Sequence, residues 1–370
     1  MNQEKITIVF SGGGTGGHIY PALAVADYLR KRHSGLDIVF IGTHEGLESK
    51  IVPQHGYHIE YIQAKGLKRS LSLKNADVFI KFLNGYRQAL HILKKVKPEL
   101  VFVTGGYVSL PVALAAKKLR IKIVLHEQNA HPGLANRIIS RFCNKILISF
   151  EESRRFFKNS SNVVLTGNPI RLELFSYSKE AAKSSLGVED KSVVLAIGGS
   201  RGAENLNKAV IKLAKEFEND KNVYFILSTG DKKYSEAVDF ADGLGVKSNI
   251  RILPYISDMP RYLAASDVVI SRAGAIAISE ITALGKPSII VPSPYVANNH
   301  QEYNARFLER EGACFVVLEN ELESNKLKLF LEKLIYDKAL YERMSNSSKK
   351  LGKPDATQNI GKLIEEYLSL

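Results

Sequence analysis

A short β-branched run that breaks into a glycine cluster and then into a helical pattern opens each half of this chain. No other feature constrains the fold as much. The first such unit is Ile6-Thr7-Ile8-Val9-Phe10 followed by Ser11 to Gly17 (SGGGTGG). The second is Val193 to Ile197 followed by Gly198-Gly199-Ser200-Arg201-Gly202-Ala203. Apolar runs of this kind suit strands buried on both faces of a parallel sheet. The glycines admit positive φ and let a ligand approach the backbone, and the helix that follows presents unpaired N–H groups to an anion. In the first half, strand-like runs at 37–41, 57–62, 100–103, 121–125, 145–149 and 162–165 alternate with helical patterns at 19–32, 45–54, 73–97, 110–119, beyond Pro132 and near 151–157. In the second half, strand-like runs at 223–227, 250–253, 268–271, 288–291 and 314–317 again alternate with helices. This order predicts βαβ units and an α/β protein of two doubly wound, Rossmann-like domains facing each other across a cleft. A length of 370 residues accords with two domains. Thr166-Gly167-Asn168-Pro169 is turn chemistry, so the expected domains are 1–167 and 168–352. The last helix, within 353–370, is expected to return to the first domain.

Composition matters for the choice of partner. A formal net charge of +13 and a pI near 9.4 call for an anionic one: nucleic acid, an acidic membrane surface or a phosphorylated substrate. Nucleic acid is not expected, because neither aromatic platforms among the basic residues nor a known reading module is evident. Cys143 and Cys314 stand far apart, with no metal-ligand spacing, and read as free thiols in a reducing compartment. No apolar run approaches the roughly 18 residues of a membrane span. Lys5 leads straight into a strand without a signal-peptide layout. The expected location is the cytoplasmic face of the cell membrane, with peripheral attachment.

Gly12, Gly14 and Gly17 satisfy the dinucleotide fingerprint G-x-G-x-x-G. That site also needs an acid at the end of the second strand, which here reads Phe40-Ile41-Gly42-Thr43, with Asp37 at its beginning. The nicotinamide reading therefore loses its second half. His18 follows the glycines at a helix start, where a positive dipole disfavours protonation; a neutral general base or a capping histidine both fit. Gly105-Gly106-Tyr107 and His126-Glu127-Gln128-Asn129 point at the same sheet edge. Four polar residues directly after an apolar strand are costly to bury without a role. In the second half Ser200 can cap a helix while meeting a phosphate. Glu280 can accept both hydroxyls of a ribose, or merely balance a helix dipole.

GGGTGGHIYPAL, GGYVSLP, HEQNAHPGLANR, TGNPIR, GGSRGA, SRAGAIAISE and NNHQEYNA occur in this order. On these motifs, over nearly its whole length, the chain closely resembles a family of bacterial peptidoglycan glycosyltransferases. These are the undecaprenyldiphospho-muramoylpentapeptide β-N-acetylglucosaminyltransferases of glycosyltransferase family 28. The resemblance implies a GT-B fold and transfer of N-acetylglucosamine from UDP-N-acetylglucosamine to the muramoyl 4-hydroxyl of lipid I, with inversion. It places Thr15, Gly16, Gly17, Asn129 and Gln301 at the donor sugar, Arg171 at the nucleotide and Ser200 at its diphosphate. It gives Ile256 the backbone contact to uracil. Ala275, Ile276, Ala277, Ile278, Ser279 and Glu280 wrap the nucleotide, with Glu280 on the ribose. Gly14, Tyr107 and His126 fall to the acceptor, and the first loop's N–H groups face the donor sugar and the acceptor's diphosphate. His18 is the expected base, with Glu127 second.

Two positions depart from the commonest family pattern: Arg201 stands where Gln is frequent, and His300-Gln301 replaces a Gln-Gln pair. No Asp-x-Asp metal clamp occurs, so no cofactor is expected to be required, and magnesium has no dedicated site. Lys65, Lys68, Arg69, Lys74, Lys81 and Arg87 interleave with Leu71, Leu73, Val78, Phe79 and Phe82. Beside a lipid-linked acceptor this stretch predicts docking on an anionic leaflet. The rival functions are another GT-B enzyme, such as a diacylglycerol glycosyltransferase or a UDP-sugar 2-epimerase.

Overall fold

A computed structural model of the chain describes residues 6–66, 74–158, 160–199 and 202–370. It divides into two units, Met1–Ile170 with Pro354–Leu370, and Arg171–Lys353. The first unit runs β1 (Thr7–Gly12), α1 (Gly16–Arg32), β2 (Asp37–Gly42), α2 (Glu48–Gln54), β3 (His58–Tyr61), α3 (Lys74–Val96), β4 (Leu100–Gly105), α4 (Ser109–Lys118), β5 (Lys122–Glu127), α5 (Leu134–Ile139), β6 (Lys145–Ile148) and β7 (Val163–Leu165). The second runs α6 (Lys179–Leu186), β8 (Ser192–Ile197), α7 (Glu204–Glu216), β9 (Val223–Ser228), α8 (Tyr234–Gly243), β10 (Ile250–Leu253), α9 (Met259–Ala265), β11 (Val268–Ser271), α10 (Ala275–Ala283), β12 (Ser288–Ile290), α11 (His300–Arg310), β13 (Phe315–Val316), α12 (Lys326–Tyr336) and α13 (Lys338–Leu351). Helix α14 (Ala356–Leu368) belongs to the first unit.

Among the described residues the sheets have the orders β3-β2-β1-β4-β5-β6-β7 and β10-β9-β8-β11-β12-β13, with parallel pairing. Each is doubly wound. In the first unit successive side chains of a strand feed two separate cores, as the period of two requires. Ile8, Phe10, Leu100 and Phe102 pack with α1 and α14, while Val9, Val101 and Val103 pack with α3 and α4. Burial on both faces is what the unbroken apolar runs encode.

Three differences from the sequence expectation have physical causes. Strand β5 continues through His126 and Glu127, which pair with Leu147 and Ile148 of β6, so these residues are strand interior and not turn. Helix α1 begins at Gly16 instead of Ile19 and carries Pro21 inside it. The division between units falls after Ile170, three residues past the expected boundary at 167. Gly167 O accepts from His126 Nε2 at 3.0 Å, and Ile170 O accepts from Thr357 Oγ1 at 3.0 Å, which ties the turn to the first unit. In α14, Ile360 and Ile364 are fully buried, and Gly361 leaves room for the Tyr28 ring; a Cβ there would come within 2.2 Å of it.

Candidate functional site

Each sheet reverses its winding at one point, between β1 and β4 and between β8 and β11. Open α/β sheets bind ligands beyond the strand ends at such points. In the first unit three turns meet there. Gly13 N–H donates to Gly105 O at 3.3 Å, and Gly106, at φ +84°, lies where a Cβ would come within 2.3 Å of Gly13 O. Gly14, at φ +83°, packs against the Tyr107 ring. The buried carboxyl of Glu48, at the start of α2, organises all of this. It accepts from Gly14 N–H at 3.0 Å, from Thr43 N–H at 3.1 Å and from Thr43 Oγ1 at 2.7 Å. A Cβ on Gly13, Gly42 or Gly46 would overlap Glu48 atoms. The amides of Gly13 and Gly14 are therefore engaged internally, and the expectation that they serve a diphosphate is corrected. The open amides belong to the start of α1. His18 and Ile19 donate back to Thr15 O, whereas helix geometry gives Gly16 and Gly17 no intrahelical acceptor. Thr15 makes no side-chain cap and the first turn holds no acid, so the positive helix end stays open.

His18 Nδ1 lies 3.0 Å from Thr104 O and 3.1 Å from Gln128 Oε1. A carbonyl can only accept, so Nδ1 carries the proton and Nε2 of the neutral ring is the basic nitrogen. His126 is fully buried, with Nε2 bonded to Gly167 O and Nδ1 3.0 Å from Gln128 Nε2. Burial holds its pKa down at about 4, against a weaker upward pull from the Gly167 bond, so the ring is neutral. The expectation that His126 touches the acceptor is thus corrected: its ring faces the interior.

Glu127 is likewise buried. Its Oε1 accepts from Asn129 N–H (2.9 Å) and Nδ2 (3.3 Å), and its Oε2 from Gly133 N–H (3.3 Å) and Asn136 Nδ2 (2.7 Å). Burial raises its pKa, and these donors pull it back in part. A carboxyl so enclosed shapes the turn that carries Asn129 and is poorly placed to take a proton from substrate.

In the second unit the turn after β8 contains Gly199 at φ +84° and Gly202 at φ +74°. Ser200 and Arg201, expected at the diphosphate, lie outside the described residues. Helix α10 starts after Gly274 with no side-chain cap and no acid in its first turn, so no carboxylate of its own offsets its positive end. Arg171 and Glu280 come together, Nε to Oε1 at 3.1 Å, with Glu280 buried and Arg171 half exposed. Burial pushes the Glu280 carboxyl up and the Arg171 charge pulls it down, the net shift being upward.

Ile276, Ala277 and Ser279 are partly exposed along α10, and Ala275 is buried at its start. Ile278 is fully buried, so it can offer a ligand only its backbone, and the same holds for Ile256. Gln301 Oε1 accepts from Ser293 N–H at 2.9 Å, which anchors its amide beside the loop after β12. Asn298 and Asn299 precede it at φ +57° and +51°, a left-handed conformation that asparagine tolerates.

Three residues here escaped the sequence reading. Glu48 is one. Asn207 of α7 is buried, donates Nδ2 to Thr229 O at 3.1 Å, and keeps Oδ1 without a donor among the described residues. That oxygen lies beside Gly198, 3.2 Å from where a Cβ would stand. Arg272 is buried, bonded to Val291 O at 3.2 Å and paired with Glu319, which also accepts from Asn205 Nδ2 at 3.0 Å. Only its place in SRAGA marks Arg272 in sequence. Among the described residues no group of three or more His, Cys, Asp or Glu is placed to hold a metal ion. No helix among them is long and apolar enough to cross a membrane.

Comparison with known proteins assigns these two edges to a lineage. The glycosyltransferase family 28 N-terminal domain matches residues 8–148, and the family 28 C-terminal domain matches residues 193–360. Over 370 residues, all of both chains, the sequence is 81% identical to a transferase of Caldicellulosiruptor saccharolyticus. That relative is the UDP-N-acetylglucosamine–N-acetylmuramyl-(pentapeptide) pyrophosphoryl-undecaprenol N-acetylglucosamine transferase. The chain belongs to glycosyltransferase family 28.

An enzyme of the same description from Acetivibrio thermocellus is 44% identical over 362 residues, 98% of each chain. The crystal structure of Acinetobacter baumannii MurG matches with a TM-score of 0.78 at 27% identity, covering 98% of this chain and 99% of that one. Both Rossmann-like units are thus the α/β domains of a GT-B enzyme of family 28. The C-terminal family domain ends at residue 360, inside α14, so the family match takes in only the first part of the segment that returns to the first unit.

Proposed function

We propose that this family 28 enzyme moves N-acetylglucosamine from UDP-N-acetylglucosamine to the muramoyl 4-hydroxyl of undecaprenyl-diphospho-muramoylpentapeptide. It thereby converts lipid I to lipid II in peptidoglycan synthesis. The observation that carries this reading is the 81% identity over both full lengths with the Caldicellulosiruptor transferase.

Inversion takes one direct displacement. Nε2 of His18 takes the proton of the attacking hydroxyl, its oxygen bonds to the anomeric carbon, and the bond from that carbon to the diphosphate oxygen breaks with its electron pair leaving on UDP. The His18 Nδ1–H held by Thr104 O, which leaves Nε2 as the basic nitrogen, supports that role. Charge developing on the diphosphate calls for fixed donors. The start of α10, Ser200 and the cations Arg171 and Arg201 supply them, and no cofactor is called on. Glu280 exchanges Arg171 for the ribose hydroxyls, the Ile256 backbone meets uracil, and residues 275–279 follow the nucleotide. Gln301, Asn129 and the Thr15-Gly16-Gly17 turn hold the sugar. Gly14 and Tyr107 shape the acceptor side.

The enzyme works peripherally on the anionic cytoplasmic face of the membrane. On α3, Phe79 and Ile80 are 62% and 58% exposed beside Lys81 and Arg87, a basic-apolar surface of the kind that enters a headgroup layer. Lys68 and Arg69 extend that stretch in sequence but lie outside the described residues. The test of the reaction is its product. Incubation of the enzyme with both substrates must give a disaccharide lipid whose new linkage is β by anomeric proton coupling. An α-linkage, or no disaccharide, contradicts the reading.

A further inference from the structure

We infer that Gln128 is a positioning residue that, together with Thr104 O, holds His18 in its Nδ1–H tautomer, through a three-member relay His18–Gln128–His126 whose direction is fixed by backbone carbonyls. The inference deepens the proposal that His18 is the base and rests on it.

Three oxygens that cannot donate decide every proton in the relay. Gly167 O, 3.0 Å from His126 Nε2, requires that nitrogen to carry its proton. The neutral ring then offers Nδ1 as an acceptor, and Gln128 Nε2 meets it at 3.0 Å. His126 O, 3.1 Å from the same Nε2, requires that end of the amide to be NH2, because two carbonyl oxygens would repel. The amide therefore cannot flip, and Oε1 faces His18 Nδ1 at 3.1 Å. Thr104 O, 3.0 Å from the same nitrogen, completes a pair of acceptors for a single N–H. Gln128 is itself buried, so its orientation is not shared with solvent.

The relay ends in carbonyls and so cannot carry a proton away. It holds the imidazolium that forms when Nε2 takes the acceptor's proton. An amide does this without placing a further negative charge beside a substrate that carries a diphosphate. A carboxylate in the same place would stabilise the imidazolium more strongly and keep the base protonated at neutral pH. Among the described residues, the ionisable side chains on the elements around His18 include Tyr20 of α1, His126 and Glu127 of β5, Glu48 of α2, Tyr107 ahead of α4 and the exposed Arg137 of α5, whose Asn136 meets the same Gly105 turn as the His18 ring. The low pKa of His126, set by burial, keeps it the neutral acceptor the relay needs.

The experiment uses the full-length enzyme and Gln128→Met, Gln128→Glu and His18→Ala, each checked for folding of the first unit by its calorimetric unfolding transition. Gln128→Met is expected to lower kcat roughly 10- to 100-fold while the donor KM stays within about twofold. Gln128→Glu is expected to move the acid limb of the kcat profile up by about one pH unit or more. Two-bond ¹H–¹⁵N correlation of labelled histidines should show His18 as the Nδ1–H tautomer in the native enzyme and a mixture in Gln128→Met. An unmoved acid limb in Gln128→Glu, or an unchanged tautomer in Gln128→Met, overturns the inference. His18→Ala retaining near-native kcat removes the base assignment instead, and the resting tautomer is read independently of it.

Discussion

His126 sits fully inside the first unit as a neutral ring, with its pKa held at about 4 by burial. An unfolded chain takes up that proton near the ordinary value of about 6.5. Between these values the unfolded state binds more protons, so stability falls as pH falls, by about 3 kcal/mol once pH 4 is reached. Urea unfolding from pH 7 to 4 should show this slope, and His126→Gln should flatten it; equal slopes contradict the assignment. At Glu48, replacement by alanine strands the Gly14 and Thr43 donors and leaves a cavity, at a cost of about 2–5 kcal/mol in the first unit. Chemical denaturation would detect that loss.

His18 and the residues 126–129 were legible in the sequence because polar side chains there interrupt apolar runs. Glu48 was not, because the glycines cleared for it come from two separate strand ends, Gly13 after β1 and Gly42 ending β2 with Gly46 just after it. The buried sides of His126 and Glu127 were hidden for a related reason: a polar residue at a strand end reads as a turn until its pairing partners in β6 are known.

At the scale of elements, the strand–glycine–helix unit and the alternation of patterns carried most of the fold. Buried parallel strands and amphipathic helices have distinct periods, and both were visible. Their ends were less so. The start of α1 lies among glycines that also serve as loop, and it takes tertiary contacts with β4 and Glu48 to decide where the helix begins. The element with a proposed surface role is α3. Each basic residue near an anionic leaflet contributes about 1 kcal/mol. Changing Lys68, Arg69, Lys74 and Lys81 to glutamine is therefore expected to weaken binding to vesicles containing acidic phospholipid by tenfold or more. Phe79→Ser with Ile80→Ser should weaken it at high salt as well, where the electrostatic part is screened. Vesicle co-sedimentation measures both, and unchanged binding in the two sets contradicts the proposed docking face.

For the whole molecule, two doubly wound sheets of the same winding divide the proposed roles, the nucleotide edge being assigned to the second and the histidine relay to the first. The chain passes between the units at Ile170 and again at Lys353. Removing residues 354–370 exposes the Ile360 and Ile364 seats on α1 and should lower the unfolding temperature of the first unit while UDP binding to the second persists. Differential scanning calorimetry with and without UDP separates the two transitions, and a loss confined to the second would contradict this division.

The proposed reaction needs both substrates. Its most direct test is UDP release from UDP-N-acetylglucosamine, followed with and without lipid I. Release only when lipid I is present is the predicted result. Equal release without an acceptor, as an epimerase or hydrolase would give, would contradict it.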